Sequence, residues 1–174
     1  FYNFYSYLKK HKPKYFIIEN VKGLLSDQGG KTFDNWIQLL SQSVNTHYNM
    51  FPHEDSLMYN VHWTVLNSKD FGVPQNRERV FIVGLREDLP NNFRFPVGFP
   101  LIKRLKDVLE PVVDEKYYLS DKMLEWMLSH SDKKKEQGCG FNFTTKDVDG
   151  VANAINARTF KMGIDDNYID EPAI

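Results

Sequence analysis

The sequence predicts an α/β fold around a largely parallel sheet, and three features carry that reading. Helical and strand-like patterns alternate through the first half of the chain. The run Tyr15-Phe16-Ile17-Ile18 is continuously apolar and ends at Glu19-Asn20, the pattern of a strand covered on both faces. Two further β-rich runs, "VHWTVLNS" and "RVFIVGL", flank the Gly/Pro-punctuated connection "KDFGVPQNRER".

Taken in order, Phe1, Phe4, Tyr5 and Leu8 recur at helical spacing, so residues 1–11 read as an amphipathic helix ended near Pro13. After the "YFIIEN" strand, a second helix is expected from about Thr32 to Val44, with Phe33, Trp36, Ile37 and Leu40 on one face. "NTHYNMFPHEDSLMYN" holds no sustained period and reads as a long loop or insertion. Beyond "RVFIVGL" the character changes, and Pro90, Pro96, Pro100 and Pro111 mark the descent into a second region. That region shows one helix, Ser120 to about His130, with Met123, Leu124, Met127 and Leu128 packed; "SDKKKEQG" reads as a flexible loop.

The chain has 174 residues, 41% of them hydrophobic and 26% charged, the balance of an ordinary globular protein. Its net charge of −1 gives no global positive field, so polyanion binding would have to come from local clusters. No apolar run approaches the roughly 20 residues that span a bilayer. The opening "FYNFYSYLKKHK" lacks the parts of a secretory signal, and none is expected in it. One cysteine excludes an intramolecular disulfide and a Cys-rich zinc site, which fits a reducing compartment. A start at Phe1, inside a helical pattern and without Met, leads to the expectation of a piece from a longer chain.

Two motifs converge on one rim. Ligands of open α/β sheets bind outside the carboxyl ends of the strands, where Glu19-Asn20 stands. A charge at the rim of a core costs several kcal/mol unless it is paired or used. "VPQNRER", Val73 to Arg79, lies between the next two strands and can reach the same rim. Arg77 and Arg79, two apart on extended backbone, point the same way. A carboxylate beside such arginines can hold a flat, hydrogen-bonding ring.

"KPKYFIIENVKGLLS" and "VLNSKDFGVPQNRERVFIVGLRED" resemble the DNA (cytosine-5) methyltransferases, through that family's Glu-Asn-Val and Gln-x-Arg-x-Arg motifs. The resemblance is close to about residue 110. It continues loosely through "KYYLSDKMLEWMLSH" and "GVANAINARTFKMGIDDNYI", which are similar to part of a target-recognition region. The resemblance implies the C-terminal half of a Rossmann-like, S-adenosylmethionine-dependent methyltransferase sheet, followed by part of a small, irregular target-recognition domain. It places a partial catalytic domain at 1–96 and a partial target-recognition domain at 97–174.

It also implies a reaction. A cysteine thiolate adds to C6 of cytosine, C5 takes a methyl group from S-adenosylmethionine, and the C5 proton and the thiolate then leave. The resemblance sets Glu19 on N3 and the exocyclic amine of the base, where burial at the end of "YFII" would favour its proton-donating form. Arg79 would donate to the cytosine O2, Asn20 would help hold the rim, and Arg77 and Gln75 would organise the site and its backbone. The substrate implied is double-stranded DNA with its cytosine flipped out of the stack. A cytoplasmic protein of a prokaryotic restriction-modification system is expected, with no membrane partner. A transfer-RNA cytosine methyltransferase and a non-catalytic DNA-binding module remain as alternatives.

The family's nucleophile lies in a Pro-Cys dipeptide upstream of its Glu-Asn-Val motif, and this chain holds none. Cys139, in "EQGCGFNF", follows both motifs without a preceding Pro and reads as a loop thiol. "DQGGK" follows a helix rather than a strand and is loop punctuation, so most of the S-adenosylmethionine site is expected outside this chain. In the resembled fold a strand preceding Phe1 pairs with "YFIIEN". Without it the isolated fragment is expected to self-associate through a bare apolar edge.

Other features read more plainly. Lys9 to Lys14 precede the strand whose far end carries Glu19 and read as a solvated turn. "KRLK" at 103–106 and "KKK" at 133–135 fit phosphate contacts or a solvated surface equally well. His47, His53, Glu54 and Asp55 match no metal-ligand spacing. Asn153, Asn156 and Arg158 suit base edges or turns alike.

Overall fold

Leu8 closes the first helix, α1 (Tyr2–His11), onto a sheet and is its one fully buried residue. Lys12 takes the left-handed conformation after it and its amide bonds back to the Leu8 carbonyl at 2.8 Å, ending the helix one residue before Pro13. The computed structural model describes residues 1–136, 138, 143–155 and 166–170. They fall in two compact units, Phe1–Asn67 with Glu78–Gly98, and Ser68–Arg77 with Phe99–Ile174.

The first unit holds β1 (Tyr15–Val21), α2 (Lys31–Leu40), β2 (Ser41–Val44), β3 (His47–Tyr48) and β4 (Tyr59–Asn67). In the second unit lies β5 (Gln75–Asn76), and the chain then returns to the first as β6 (Glu78–Leu85). Strand order is β1-β6-β4-β2-β3. The α/β class holds, but the sheet is mostly antiparallel: β2 runs parallel to β4, and the other three neighbouring pairs are antiparallel. Apolar periodicity reports burial, and burial carries no strand direction.

One face of this sheet is the core. Phe16 and Ile18 of β1, Val80 and Ile82 of β6 and Val61 of β4 pack there against Leu8 of α1 and Phe33, Ile37 and Leu40 of α2. Edge-to-face contacts join Phe16 to Phe4 and Tyr59, and Phe33 to Trp63. Gly84 stands directly opposite Phe16. A Cβ at Gly84 would lie 2.1 Å from the Phe16 ring, so the ring occupies the space that the missing side chain leaves.

β1 departs from the expectation of cover on both faces. Its burial alternates, with Tyr15 59% and Ile17 69% exposed on the face away from the helices. The same face is covered farther along the sheet, where His62 meets Asn91 at 2.6 Å and the Phe93 ring. Among the described residues, β1 has β6 as its one strand neighbour.

Two more expectations change. The second helix stops at Leu40, and residues 41–44 are β2 rather than a last turn. Ser41 and Ser43 are fully buried because their hydroxyls donate to the Ile37 carbonyl and to Asn60. The supposed loop after it begins with a hairpin, its two turn residues Asn45 and Thr46 both left-handed. Asn45 ties that turn to β4 by accepting the Trp63 amide at 3.0 Å.

The second unit pairs β5 in parallel with β7 (Ala152–Asn153). Its Phe71 and Phe99 rings meet edge to face, and the Phe99 amide donates to the Asp70 carbonyl. The helix α3 (Asp121–Glu136) runs through most of "SDKKKEQG", since Lys and Glu are good helix formers. Of its apolar residues, Met127 is buried, while Leu124 and Leu128 are exposed.

The Phe16–Gly84 contact makes a test of this packing. Gly84→Ala should destabilise the sheet unit by about 3 kcal/mol, the upper range for overpacking a core. Denaturant unfolding of the purified variant measures it, and a midpoint equal to that of the unsubstituted chain would show that the ring does not rest there.

Candidate active site

Side chains alternate along β1, so Glu19 projects to the face away from the helices and Asn20 toward them. The antiparallel register sets Glu19 opposite Phe81 and Val21 opposite Arg79. Glu19 and Arg79 are therefore diagonal neighbours on one face, within reach of long side chains. The Arg79 Nε lies 2.8 Å from Glu19 Oε1, and its Nη1 donates to the Glu78 carbonyl, also at 2.8 Å. Carboxylate and guanidinium thus meet at the end of the strand, as the two motifs suggested.

The burial expected of Glu19 is absent: its side chain is 47% exposed, against 19% for Arg79. The apolar run before it covers one face of the strand, and Glu19 sits on the other. Exposed Ile17 and Val21 flank it on the same face. The result is an accessible ion pair in an apolar surround. Pairs this open to water contribute roughly 0–1 kcal/mol, so a ligand that parts them meets little resistance.

The other candidates are placed differently. Asn20 is half-buried, and its Oδ1 accepts the amide of Val21 at 2.8 Å, fixing the strand end. Gln75 and Arg77 belong to the second unit. There the Ser68 hydroxyl donates to the Gln75 carbonyl at 2.7 Å, and the Ser68 amide to the Arg77 carbonyl at 3.2 Å. Both residues hold the 68–77 loop together through their main chain. Cys139, Asn156 and Arg158 lie outside the described residues. Asn153, in β7, donates its amide to the Asn167 side chain and accepts from it at its carbonyl.

The remaining charged clusters have local work. Lys9 approaches Asp55, and Tyr5 donates to the Asp55 carbonyl. Arg86 forks onto Asp88 and holds that carboxyl below its ordinary range, while its Nη1 donates to the Lys12 carbonyl. Lys106 pairs with Asp149, which keeps the Asp149 carboxyl low in the same way. One pair was missed from the sequence. Lys22 Nζ donates to both carboxylate oxygens of Glu78, at 3.0 and 2.9 Å. Neither charge stands out in the sequence, and only the β1–β6 register brings them level.

Two clefts of the first unit, of about 280 and 430 Å³, lie elsewhere. The smaller is lined by Lys9, Lys12, Tyr59 and Arg86, at the Tyr15 end of β1. At about 3.3 Å per strand residue it stands more than 10 Å from Glu19. The larger is lined by Phe1, Gln28, Thr32 and Trp36, and neither includes Glu19 or Arg79.

Known proteins resemble this chain over nearly all of its length. A model of the C-5 cytosine-specific DNA methylase family matches residues 1–170. Type II methyltransferase M1.ScrFI of Lactococcus lactis subsp. cremoris is 35% identical over 160 residues, which cover 90% of this chain and 38% of that protein. Type II methyltransferase M.HpaII of Haemophilus parainfluenzae is 34% identical over 150 residues, covering 85% and 38%. The chain therefore spans about two fifths of the length of these relatives. The crystal structure of S. pombe Dnmt2 methyltransferase superimposes with a TM-score of 0.46 at 18% identity, over 80% of this chain and 37% of that one, too loosely to bear on the site. No helix among the described residues is long and apolar enough to cross a membrane.

Proposed function

The chain belongs to the C-5 cytosine-specific DNA methylase family, and from that premise we propose that it is the part of a DNA cytosine-5 methyltransferase that grips the target base. The observation that carries the proposal is the Glu19–Arg79 pair, exposed at a strand end on the face away from the helices. Cytosine presents its exocyclic amine, N3 and O2 in a row along one edge. A carboxyl group can accept from the amine and share a proton with N3, while a guanidinium donates to O2. A base entering between Glu19 and Arg79 replaces their mutual hydrogen bond with one to each side chain. Polarising N3 and O2 draws electron density from C6, where a nucleophile must add. In a duplex the amine, N3 and O2 of cytosine are paired to guanine, so the base can offer them to this pair only by leaving the stack.

Asn20 serves by holding the strand end through the Val21 amide. Gln75 and Arg77 shape the loop that leads into β6, and double-stranded DNA is the substrate. Membership implies S-adenosylmethionine as the methyl donor. Neither of the two clefts described above is lined by Glu19 or Arg79. The Pro-Cys nucleophile and most of the cofactor pocket are thus assigned to polypeptide beyond these residues. A place in a prokaryotic restriction-modification system, in the cytoplasm, fits relatives named as type II methyltransferases.

Two experiments test this reading. In the full-length methylase that carries this chain, Glu19→Gln should lower kcat by about 100-fold or more, the usual contribution of a positioned acid–base group. DNA affinity should change little, because the interaction strengthens only as N3 is activated. Turnover equal to that of the unsubstituted enzyme would reject the role, and tritiated methyl transferred to RNA instead of DNA would reject the substrate.

The second uses the 174-residue polypeptide alone. It should transfer no methyl group, with or without Cys139→Ser, for want of the Pro-Cys nucleophile. It should also sediment as a dimer or larger, because β1 offers open backbone groups beside exposed Tyr15 and Ile17. A monomer at every concentration would refute the edge pairing, and label on DNA above a blank would refute the division of labour.

A further inference from the structure

Lys22 and Glu78 meet one step beyond the last residue pair of the β1–β6 ladder. Val21 stands opposite Arg79, so continuing the antiparallel register outward brings Lys22 level with Glu78. Glu78 is also the residue at which the chain re-enters the sheet, opposite Asn67 of β4. Its side chain alternates with that of Arg79 and so points to the other face. Two ion pairs, Glu19–Arg79 and Lys22–Glu78, therefore stand back to back across one strand end.

The main chain couples them. Among the described residues the Arg79 guanidinium has two anchors, the Glu19 carboxylate and the Glu78 carbonyl. The second anchor belongs to the residue that Lys22 grips at both carboxylate oxygens. A guanidinium is a rigid planar fork, so turning the Glu78 peptide turns the donors aimed at Glu19 and at the base.

We propose that Lys22 and Glu78 are positioning residues that set the Arg79 guanidinium at the base-binding site. The inference rests on the role proposed for Glu19 and Arg79, and its effect is on geometry rather than stability. The side chains of Lys22 and Glu78 are 54% and 43% exposed, and pairs that open hold little of a fold together. Misplacement of a reacting group by about 1 Å, in contrast, costs up to about 100-fold in rate.

The test compares Lys22→Gln, Lys22→Arg and Glu78→Gln in the full-length methylase. Lys22→Gln should lower kcat by about tenfold, within the range for a displaced site group. Lys22→Arg, which keeps the grip on Glu78, should recover most of that loss. Glu78→Gln, which weakens the same grip from the other side, should lower kcat by a similar factor. Melting temperature should stay within about 1 °C throughout, as for exposed pairs. A wild-type kcat in Lys22→Gln, or a kcat that falls only in step with melting temperature, overturns the proposal.

A second readout is independent of activity. The Arg79 Nε–H resonance should exchange with water slowly in the unsubstituted protein and in Lys22→Arg, and about tenfold faster in Lys22→Gln. Unchanged exchange overturns the proposal whatever the kinetics. Methyl transfer absent from the unsubstituted enzyme would instead refute the proposed function, and the Arg79 resonance would still decide the role of Lys22.

Discussion

The pairing of β1 with β6 is the constraint from which the candidate site follows. Side chains on a strand alternate with a period of two, so a slip of one residue would send Arg79 to the helix-covered face while Glu19 stayed outside. Contacts along the ladder hold the register. At one end the Arg86 amide donates to the Lys14 carbonyl and its guanidinium to that of Lys12. Near that end the Phe16 ring fills the space over Gly84. At the other end stand the two ion pairs. The core contacts select the pairing, and the polar ones refine where its last residues point.

The sheet unit is asymmetric. Its helix-covered face is packed with Leu8, Phe33, Ile37 and Leu40, while the opposite face is covered near His62 and open near Ile17. Stability comes chiefly from the first face, because removing apolar surface from water is the main force that favours folding. The second is free to carry groups chosen for chemistry. Glu19 illustrates the separation, because it shares its strand with Phe16 and Ile18 but touches none of the core they form.

Much of this was legible in the residues. The spacing of Phe4 and Leu8, the apolar run of β1 and the β-rich runs of β4 and β6 each located an element, since each buries a regular stripe. β2 was missed because its inward residues are Ser41 and Ser43, whose burial rests on hydrogen bonds that no hydropathy pattern records. The hairpin at Asn45-Thr46 was missed because threonine is an uncommon left-handed residue. The open face of β1 was misread because a continuous apolar run does not tell which of its faces is covered. Glu19 and Arg79 were found through their motifs, and their meeting needed a register that a single strand does not contain. Lys22 and Glu78 gave no signal of their own: two surface charges become a pair only once the ladder is drawn.

The wide separation of β1 from its partner along the chain bears on the order of assembly. β4 and β6 are joined by a short excursion, with Asn67 opposite Glu78, and can pair as soon as that loop closes. β1 waits for a strand made tens of residues later, pairing Tyr15 with Leu85 and Val21 with Arg79. Non-local pairings of this kind form late and slowly. During synthesis the Tyr15–Ile18 stretch therefore leaves the ribosome with α1 already made but well before its strand partner β6. The Glu19–Arg79 pair is among the last features of this sheet to appear, which makes its formation a report that the sheet around it is complete.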